Sequence, residues 1–325
     1  MNTEALRTVA ATYGTPTYIF DVREVEARIR LLRSLLPEDT GLCFAVKANP
    51  FLIPYVADMV DRLEVCSPGE YEICIQEQIA PEKIVVSGVN KTYESMKRIL
   101  SYSKGAGIYT IESEEHAKIL RTLAEKNQMP LSVLIRLSSG NQFGVDAETF
   151  FRLAKEIQES PYLTLAGVHY YAGTQKRQSK LEKELDTLTA FAKTFEEETG
   201  TVLNELEYGA GMKVSYFIND SEKDQRESEP EPQIQALAEK LRTCAYGKKT
   251  IELGRFLVSM SGYYLTRVMD VKRTAQPGFL ILDGGIHQIN YYGWMMGMKQ
   301  PEIEVLAEKD GDEELFHLCG SLCTV

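Results

Sequence analysis

The run LCFAVKANP, residues 42–50, begins as a buried strand and ends on a charged amine, Lys47, before Asn49-Pro50 breaks it. Lysine is among the residues least often fully buried, because desolvating an ammonium is costly unless it is paired or neutral. Lys47 therefore either marks the point where a strand meets solvent, or is a carbonyl-trapping amine. In the second case its surroundings lower its pKa so that it can form a Schiff base.

Outward from this run the same pattern repeats. LEVCS (63–67), KIVVSG (83–88), GIYTIE (107–112), SVLIRL (132–137), TLAGVHYY (164–171), LNELEYG (203–209) and KTIELG (249–254) are short apolar, β-rich runs. Between them lie amphipathic stretches such as EEHAKILRTLAEKNQ (114–128) and SKLEKELDTLTAFAKTFEEETG (179–200), the second ending on Gly200. Eight strands, each followed by a crossover long enough for a helix, predict an α/β fold, a (β/α)8 TIM barrel. After residue 255 the helices disappear. RFLVSMSGYYLTRVMDVKRT, GFLILDGG, EIEVLAE and ELFHLCGS read as strands separated by turn residues. They predict a second, antiparallel β domain of sandwich or barrel type, with which TPTYIFD (15–21) pairs. The expected boundaries are 1–21 for that N-terminal segment, 22–257 for the barrel and 258–325 for the β domain. The polar, acidic, proline-bearing NDSEKDQRESEPEPQ (219–233) reads as a mobile loop.

Composition narrows the classes of partner. With 325 residues, 44% of them hydrophobic and 26% charged, the chain reads as a soluble globular protein. A net charge of -11 argues against a nucleic-acid backbone or an anionic membrane as partner. There is no apolar run long enough for a span and no secretory pattern at the N-terminus, so a cytoplasmic location is expected. Six cysteines without CxxC pairs and four scattered histidines predict neither a disulfide scaffold nor a metal site. Cys43, Cys66 and Cys74 read as packing thiols, Trp294 and Met295-Met296 as packing or interface residues, and His116 as part of a solvated helix face.

Chemistry in such a barrel sits at the carboxyl ends of the strands. Those ends carry Lys47; Ser67 with Gly69 and Glu70; Asn90 with Lys91; Arg136; His169 with Tyr171; Gly209-Ala210-Gly211; and Glu252 with Gly254-Arg255. An amine, carboxylates, an arginine, an aromatic pair and two glycine-bearing turns fit a phosphate-bearing aldehyde cofactor. Glycines expose backbone N–H groups to phosphate, the lysine takes the aldehyde, and a carboxylate meets a pyridine nitrogen.

FAVKANP, EVCSPGE, GVHYYAGTQ, YGAG, ELGR, LDGG and CGSLCT resemble, in order, the motifs of the fold-type III pyridoxal-phosphate decarboxylases, which include ornithine, arginine and diaminopimelate decarboxylases. The resemblance implies an amino acid decarboxylase that uses pyridoxal 5'-phosphate. Lys47 would hold the cofactor as an aldimine, and Glu252 would bond its ring nitrogen and favour a quinonoid route to decarboxylation over racemisation. Gly209, Ala210, Gly211, Gly254, Arg255 and Thr174 would surround the phosphate. Cys323 matches a cysteine that a partner subunit lends to the neighbouring site, which implies a homodimer and a proton donor to Cα. Glu70, Arg136, His169, Asp283, His287 and Thr324 are the candidate pocket residues.

Departures from the family point to the substrate. The ring-stacking histidine of the family is Tyr171 here, and the acid after the cysteine is Thr324. The segment HQINYYGWMMGM (287–298) lacks the arginine that holds a distal carboxylate in diaminopimelate decarboxylases, and the hairpin after Arg136 is short. HYYAGTQ, DGGIH and SLCT look more like the branch containing the butirosin-pathway enzyme, which acts on glutamate tethered to an acyl carrier protein. A carrier-linked amino acid in a secondary-metabolite pathway is therefore expected. The alternatives are diaminopimelate or another basic amino acid as substrate, and a catalytically inactive decarboxylase-like regulator. Family members continue well past the cysteine motif, whereas this sequence stops at Val325, so an incomplete sheet with an open edge is expected.

Overall fold

Counting from the N-terminus, a short strand β1 (Thr17–Phe20) precedes eight strands that close in sequence order into a parallel barrel. These are β2 (Thr40–Ala45), β3 (Arg62–Val65), β4 (Ile84–Val86), β5 (Ile108–Ile111), β6 (Leu131–Arg136), β7 (Leu163–Tyr171), β8 (Glu205–Gly209) and β9 (Lys248–Leu253). The computed structural model describes residues 1–289, 299–307 and 313–323. Every run expected in the barrel is a barrel strand. Closure comes from β9 pairing with β2 in register, Cys43 opposite Glu252.

Polar residues start the helices, Ser67 and Ser113 just past β3 and β5 and Asp146 at the end of the loop that follows β6. Ser67 Oγ accepts from Glu70 N, Ser113 from His116 N and Asp146 from Thr149 N, each capping a helix on the outer layer. Such caps contribute about 1 kcal/mol apiece and fix where each strand's chain turns away from the rim. Gly200, at φ 68, closes the helix Gln178–Thr199, as its position predicts.

The barrel interior is layered. Cys43, Val85, Ile108 and Leu134 pack as one apolar layer, with Ala166 against it. Nearer the rim and at the opposite end the inward positions are charged. Arg62 and Glu64 alternate on β3, Glu205 and Glu207 on β8, and all four are buried. Arg62, on β3, donates to Glu207 on β8 at 2.7 Å, and also to Glu205. Two strands, β9 and β2, separate β8 from β3 in the sheet order, so these bonds cross the inside of the barrel.

The chain forms two compact units. One comprises Val25–Val214 with Gln225–Val258 and contains the barrel; the other comprises Met1–Glu24, Ser215–Asp224 and Ser259–Val325. In the second unit β1 pairs antiparallel with β10 (Gly262–Leu265). β12 (Gly278–Leu282) pairs antiparallel with β11 (Val268–Lys272) and parallel with β13 (Phe316–Cys319). A helix, Thr3–Tyr13, capped by Asn2, precedes β1.

Three local expectations are corrected. Arg255–Val258 is a helical turn rather than a strand. Residues 302–306, in EIEVLAE, form no strand. The adjacent bridge is made by Pro301 with Phe217, and proline has no N–H with which to extend a ladder. The stretch 219–233 is not a plain loop. Glu222–Glu227 is helical, and Pro230 opens the helix Pro230–Thr243, its fixed φ and missing N–H suiting a first turn that also carries Glu231.

Candidate active site

Lys47 lies on the tight turn Val46–Ala48 directly after β2. Its Nζ donates to Glu64 Oε2 at 2.7 Å, with the lysine side chain 45% exposed and the glutamate 3% exposed. Glu64 also accepts the Ser87 hydroxyl. The Tyr171 ring centroid is 5.8 Å from the amine. Burial pushes the amine's pKa down, but the charges of Glu64 and Glu252 and the bond to Glu64 outweigh it and hold Lys47 above the usual lysine value. The expectation of a lowered pKa is thus overturned, because two carboxylates share the amine's surroundings.

Glu252 is buried on β9 and bonded through Oε1 to His169 Nε2 at 3.0 Å. Among the described residues His169 Nδ1 has no hydrogen-bond partner. Burial alone would raise Glu252; His169 and Lys47 bring it down to about 2. Glu207, fully buried beside it, goes the other way, pushed well above the carboxylate range by burial and by the charge of Glu252. Its Oε2 takes the Arg62 bond, while its Oε1 has no donor among the described residues. The two neighbouring acids are therefore driven apart, Glu252 down by His169 and Lys47 and Glu207 up by burial and by the charge of Glu252.

The turns after β7, β8 and β9 meet at the same rim. Gly211 has φ +58, and a Cβ there would lie 2.1 Å from Gly173 O, so only glycine allows these two turns to touch. A Cβ on Gly254 would lie 3.0 Å from Ala48 Cβ, which packs the end of β9 against the turn bearing Lys47. Arg255 is exposed and donates to Thr174 Oγ1. Closely packed glycine turns with a guanidinium and a hydroxyl at their edge suit a phosphate group. An ionised carboxylate at Glu252 suits a protonated ring nitrogen, and a half-exposed amine at Lys47 suits an aldehyde. The residues present fit pyridoxal 5'-phosphate.

The remaining candidates are placed as follows. Arg136 is buried, donates to Glu112 Oε2 at 2.8 Å and lies over the Phe143 ring at 4.8 Å. Glu70 accepts the Cys66 N–H at 2.8 Å, closing a helix start. Asp283 accepts from Thr15 and Thr266 hydroxyls and from Arg267 N at 2.6–2.8 Å within the second unit. His287 and Cys323 are exposed residues of that unit, and Thr324 lies outside the described residues, as do Trp294 and Met295-Met296. Cys43 and Cys74 are buried, whereas Cys66 is partly exposed. His116 is not on a solvated face. It is buried, its Nε2 3.1 Å from Val89 O, and burial together with the nearby Lys91 charge lowers it to about 4.

Reading only strand ends misses Arg62, Glu64, Glu112, Lys176 and Glu207. A signal for most of them was present: strands of a parallel barrel are apolar on both faces, so charged residues two apart, as in RLE and ELE, must pair inside.

Residues 22–259 match the family model described as pyridoxal-dependent decarboxylase, pyridoxal binding domain. The chain is 29% identical to diaminopimelate decarboxylase of Pseudomonas aeruginosa over 98% of its own length and 79% of that protein. It is 25% identical to the L-glutamyl-[BtrI acyl-carrier protein] decarboxylase of Niallia circulans, covering 100% of this chain and 81% of that one. Among solved structures, diaminopimelate decarboxylase from M. jannaschii in complex with L-lysine shares the fold, with a TM-score of 0.84 at 20% identity, covering 98% of this chain and 78% of that one. With the family model matched from the start of the barrel to just past its last strand, the chain belongs to the pyridoxal-dependent decarboxylases.

Proposed function

We propose that this chain removes the α-carboxyl group of an amino acid or aminoacyl substrate as carbon dioxide, with pyridoxal 5'-phosphate held at Lys47. The observation that carries the reading is a half-exposed amine between Glu64 and the ionised Glu252. Bound there, the cofactor supplies an electron-withdrawing ring that takes up the electron pair left when carbon dioxide departs. Glu252 would hold a proton on the ring nitrogen of the bound cofactor. His169 orients Glu252, and Glu207 and Arg62 support it from within the barrel. A ring N–H paired with Glu252 would weaken one of the two charges that hold the Lys47 amine up, leaving Glu64 as its bonded partner. Tyr171 covers a ring face. Gly209, Ala210, Gly211, Thr174, Gly254 and Arg255 hold the phosphate. Cys323 of a second copy of the chain, in a homodimer, delivers a proton to the α-carbon.

For the substrate we favour an amino acid whose far end is uncharged because it is tethered to an acyl carrier protein. Arg136 is committed to Glu112, and residues 287–298 contain no arginine to pair a distal carboxylate. The carrier-protein relative, aligned over the whole chain, supports this choice. Diaminopimelate is the second reading, favoured by the names of several relatives. Purified protein with pyridoxal 5'-phosphate is to be offered lysine, ornithine, arginine, diaminopimelate and a glutamyl-carrier conjugate. Carbon dioxide release from the conjugate is expected; release from free diaminopimelate alone would remove the tethered reading. A protein that binds the cofactor but releases carbon dioxide from none of them would instead favour a regulator.

A further inference from the structure

Lys176 reaches the Gly209–Gly211 turn twice. Its backbone N–H donates to Gly211 O at 2.9 Å, in a parallel bridge with Met212. Its ammonium donates to Gly209 O at 2.8 Å and to Glu184 Oε2 at 2.7 Å. The Tyr208 hydroxyl donates to the same Glu184 oxygen at 2.7 Å. The rings of Tyr208 and Tyr171 stand 5.0 and 5.8 Å from the amine. The side chain is 1% exposed, so Lys176 acts through the groups it binds and not on anything in the cleft. Its Cε also fills the space beside Gly211, 3.0 Å from where a Cβ would stand.

A peptide's C=O and N–H point in opposite directions. Fixing the Gly209 carbonyl on the Lys176 amine therefore fixes the plane of the Gly209–Ala210 peptide from which the turn starts. The carbonyl that would repel an anion is drawn onto the buried Lys176–Glu184 pair behind the turn. We infer that Lys176, anchored by Glu184 and Tyr208, is a positioning residue that sets the Gly209–Gly211 turn for the phosphate of its ligand. This rests on the reading of that turn as part of the cofactor site.

Two measurements on the full chain test it. In cofactor-free protein, Lys176→Met is expected to speed hydrogen exchange of the amides at 209–212 by at least about tenfold. In titrations with pyridoxal 5'-phosphate and with pyridoxal, the same variant is expected to cut the preference for the phosphorylated form by about tenfold, while pyridoxal binding changes little. Tyr208→Phe, which keeps the ring and removes one bond to Glu184, is expected to move both readouts the same way by about threefold; it carries the test if Lys176→Met does not fold. Unchanged exchange overturns the inference, and so does faster exchange with an unchanged preference, since a merely structural lysine lowers stability without altering that ratio. Wild-type protein that does not prefer the phosphorylated form overturns the cofactor reading itself, and this inference with it.

Discussion

Lys47 and Lys176 both follow barrel strands, and each amine sits 2.7 Å from a glutamate oxygen. Their surroundings differ in two respects. The Lys176 side chain is 1% exposed and bonds a backbone carbonyl as well, whereas the Lys47 side chain is 45% exposed and has one carboxylate partner at bonding distance with a second nearby. Their pKa values move in opposite directions: burial lowers Lys176 despite Glu184, while Glu64 and Glu252 raise Lys47 despite burial. A depressed lysine pKa is a common sign of a reactive amine. Here it would select the wrong residue. What marks Lys47 is the open side of its amine together with an acid, Glu252, whose charge can be taken over by a ligand.

The largest effect expected from breaking this contrast is at Lys47. Lys47→Ala should lower carbon dioxide release by on the order of a thousandfold or more, as loss of a covalent catalytic group does. It should also abolish the visible absorbance that pyridoxal 5'-phosphate acquires on the protein. A variant that keeps that absorbance and a tenth of the activity would show that another amine captures the cofactor.

At the other lysine the same pairing is expected to matter for stability. Glu184→Gln replaces the charged acceptor of the buried Lys176 ammonium by a neutral amide oxygen. Breaking a buried ion pair in this way costs about 3 kcal/mol, limited by release of the proton from an amine whose pKa burial already lowers. Urea unfolding of the ligand-free protein measures it. A change below about 1 kcal/mol would place the pair among exposed ion pairs, which contribute little, and would remove the contrast with Lys47.

How far these two sites could be read from residues alone differs for the same physical reason. Lys47 ends an apolar run, and Glu252 ends another, so strand ends point to both. The eight-strand barrel was legible because its runs alternate with amphipathic helices. Lys176 lies five residues past the end of β7, inside a loop, and nothing in YAGTQK distinguishes a buried amine from a solvated one. The partner that buries it, Glu184, is on the helix Gln178–Thr199, and its neighbour Tyr208 is on β8, so its role exists only after those elements pack. His116 misleads likewise: at the start of a helix rich in charges it looks solvated, yet the first turn tucks under Val89. The second unit was less legible because short exposed strands lack periodic burial, β11 being exposed throughout.

A smaller effect, expected at Glu64, sharpens the same contrast. Glu64→Gln removes one of the two charges that raise Lys47 while keeping an acceptor for its amine. The amine then loses its proton at lower pH, and neutral amine is what captures an aldehyde. Below the Lys47 pKa, the rate of cofactor capture should therefore rise in the variant by about tenfold at a given pH, matching a fall of about one pKa unit. Stability shifts with the opposite sign. A lysine whose folded pKa is raised contributes stability that is fully present below its unfolded value and is lost as pH rises through the folded value. The variant should thus show a shallower alkaline loss of stability than the wild type. Stopped-flow capture of pyridoxal 5'-phosphate across pH reads the first effect, and urea unfolding on the alkaline side reads the second. A slower capture at every pH would mean that Glu64 acts by accepting the Lys47 proton rather than by holding it in place, and the open lysine would then depend on its glutamate as directly as the buried one does.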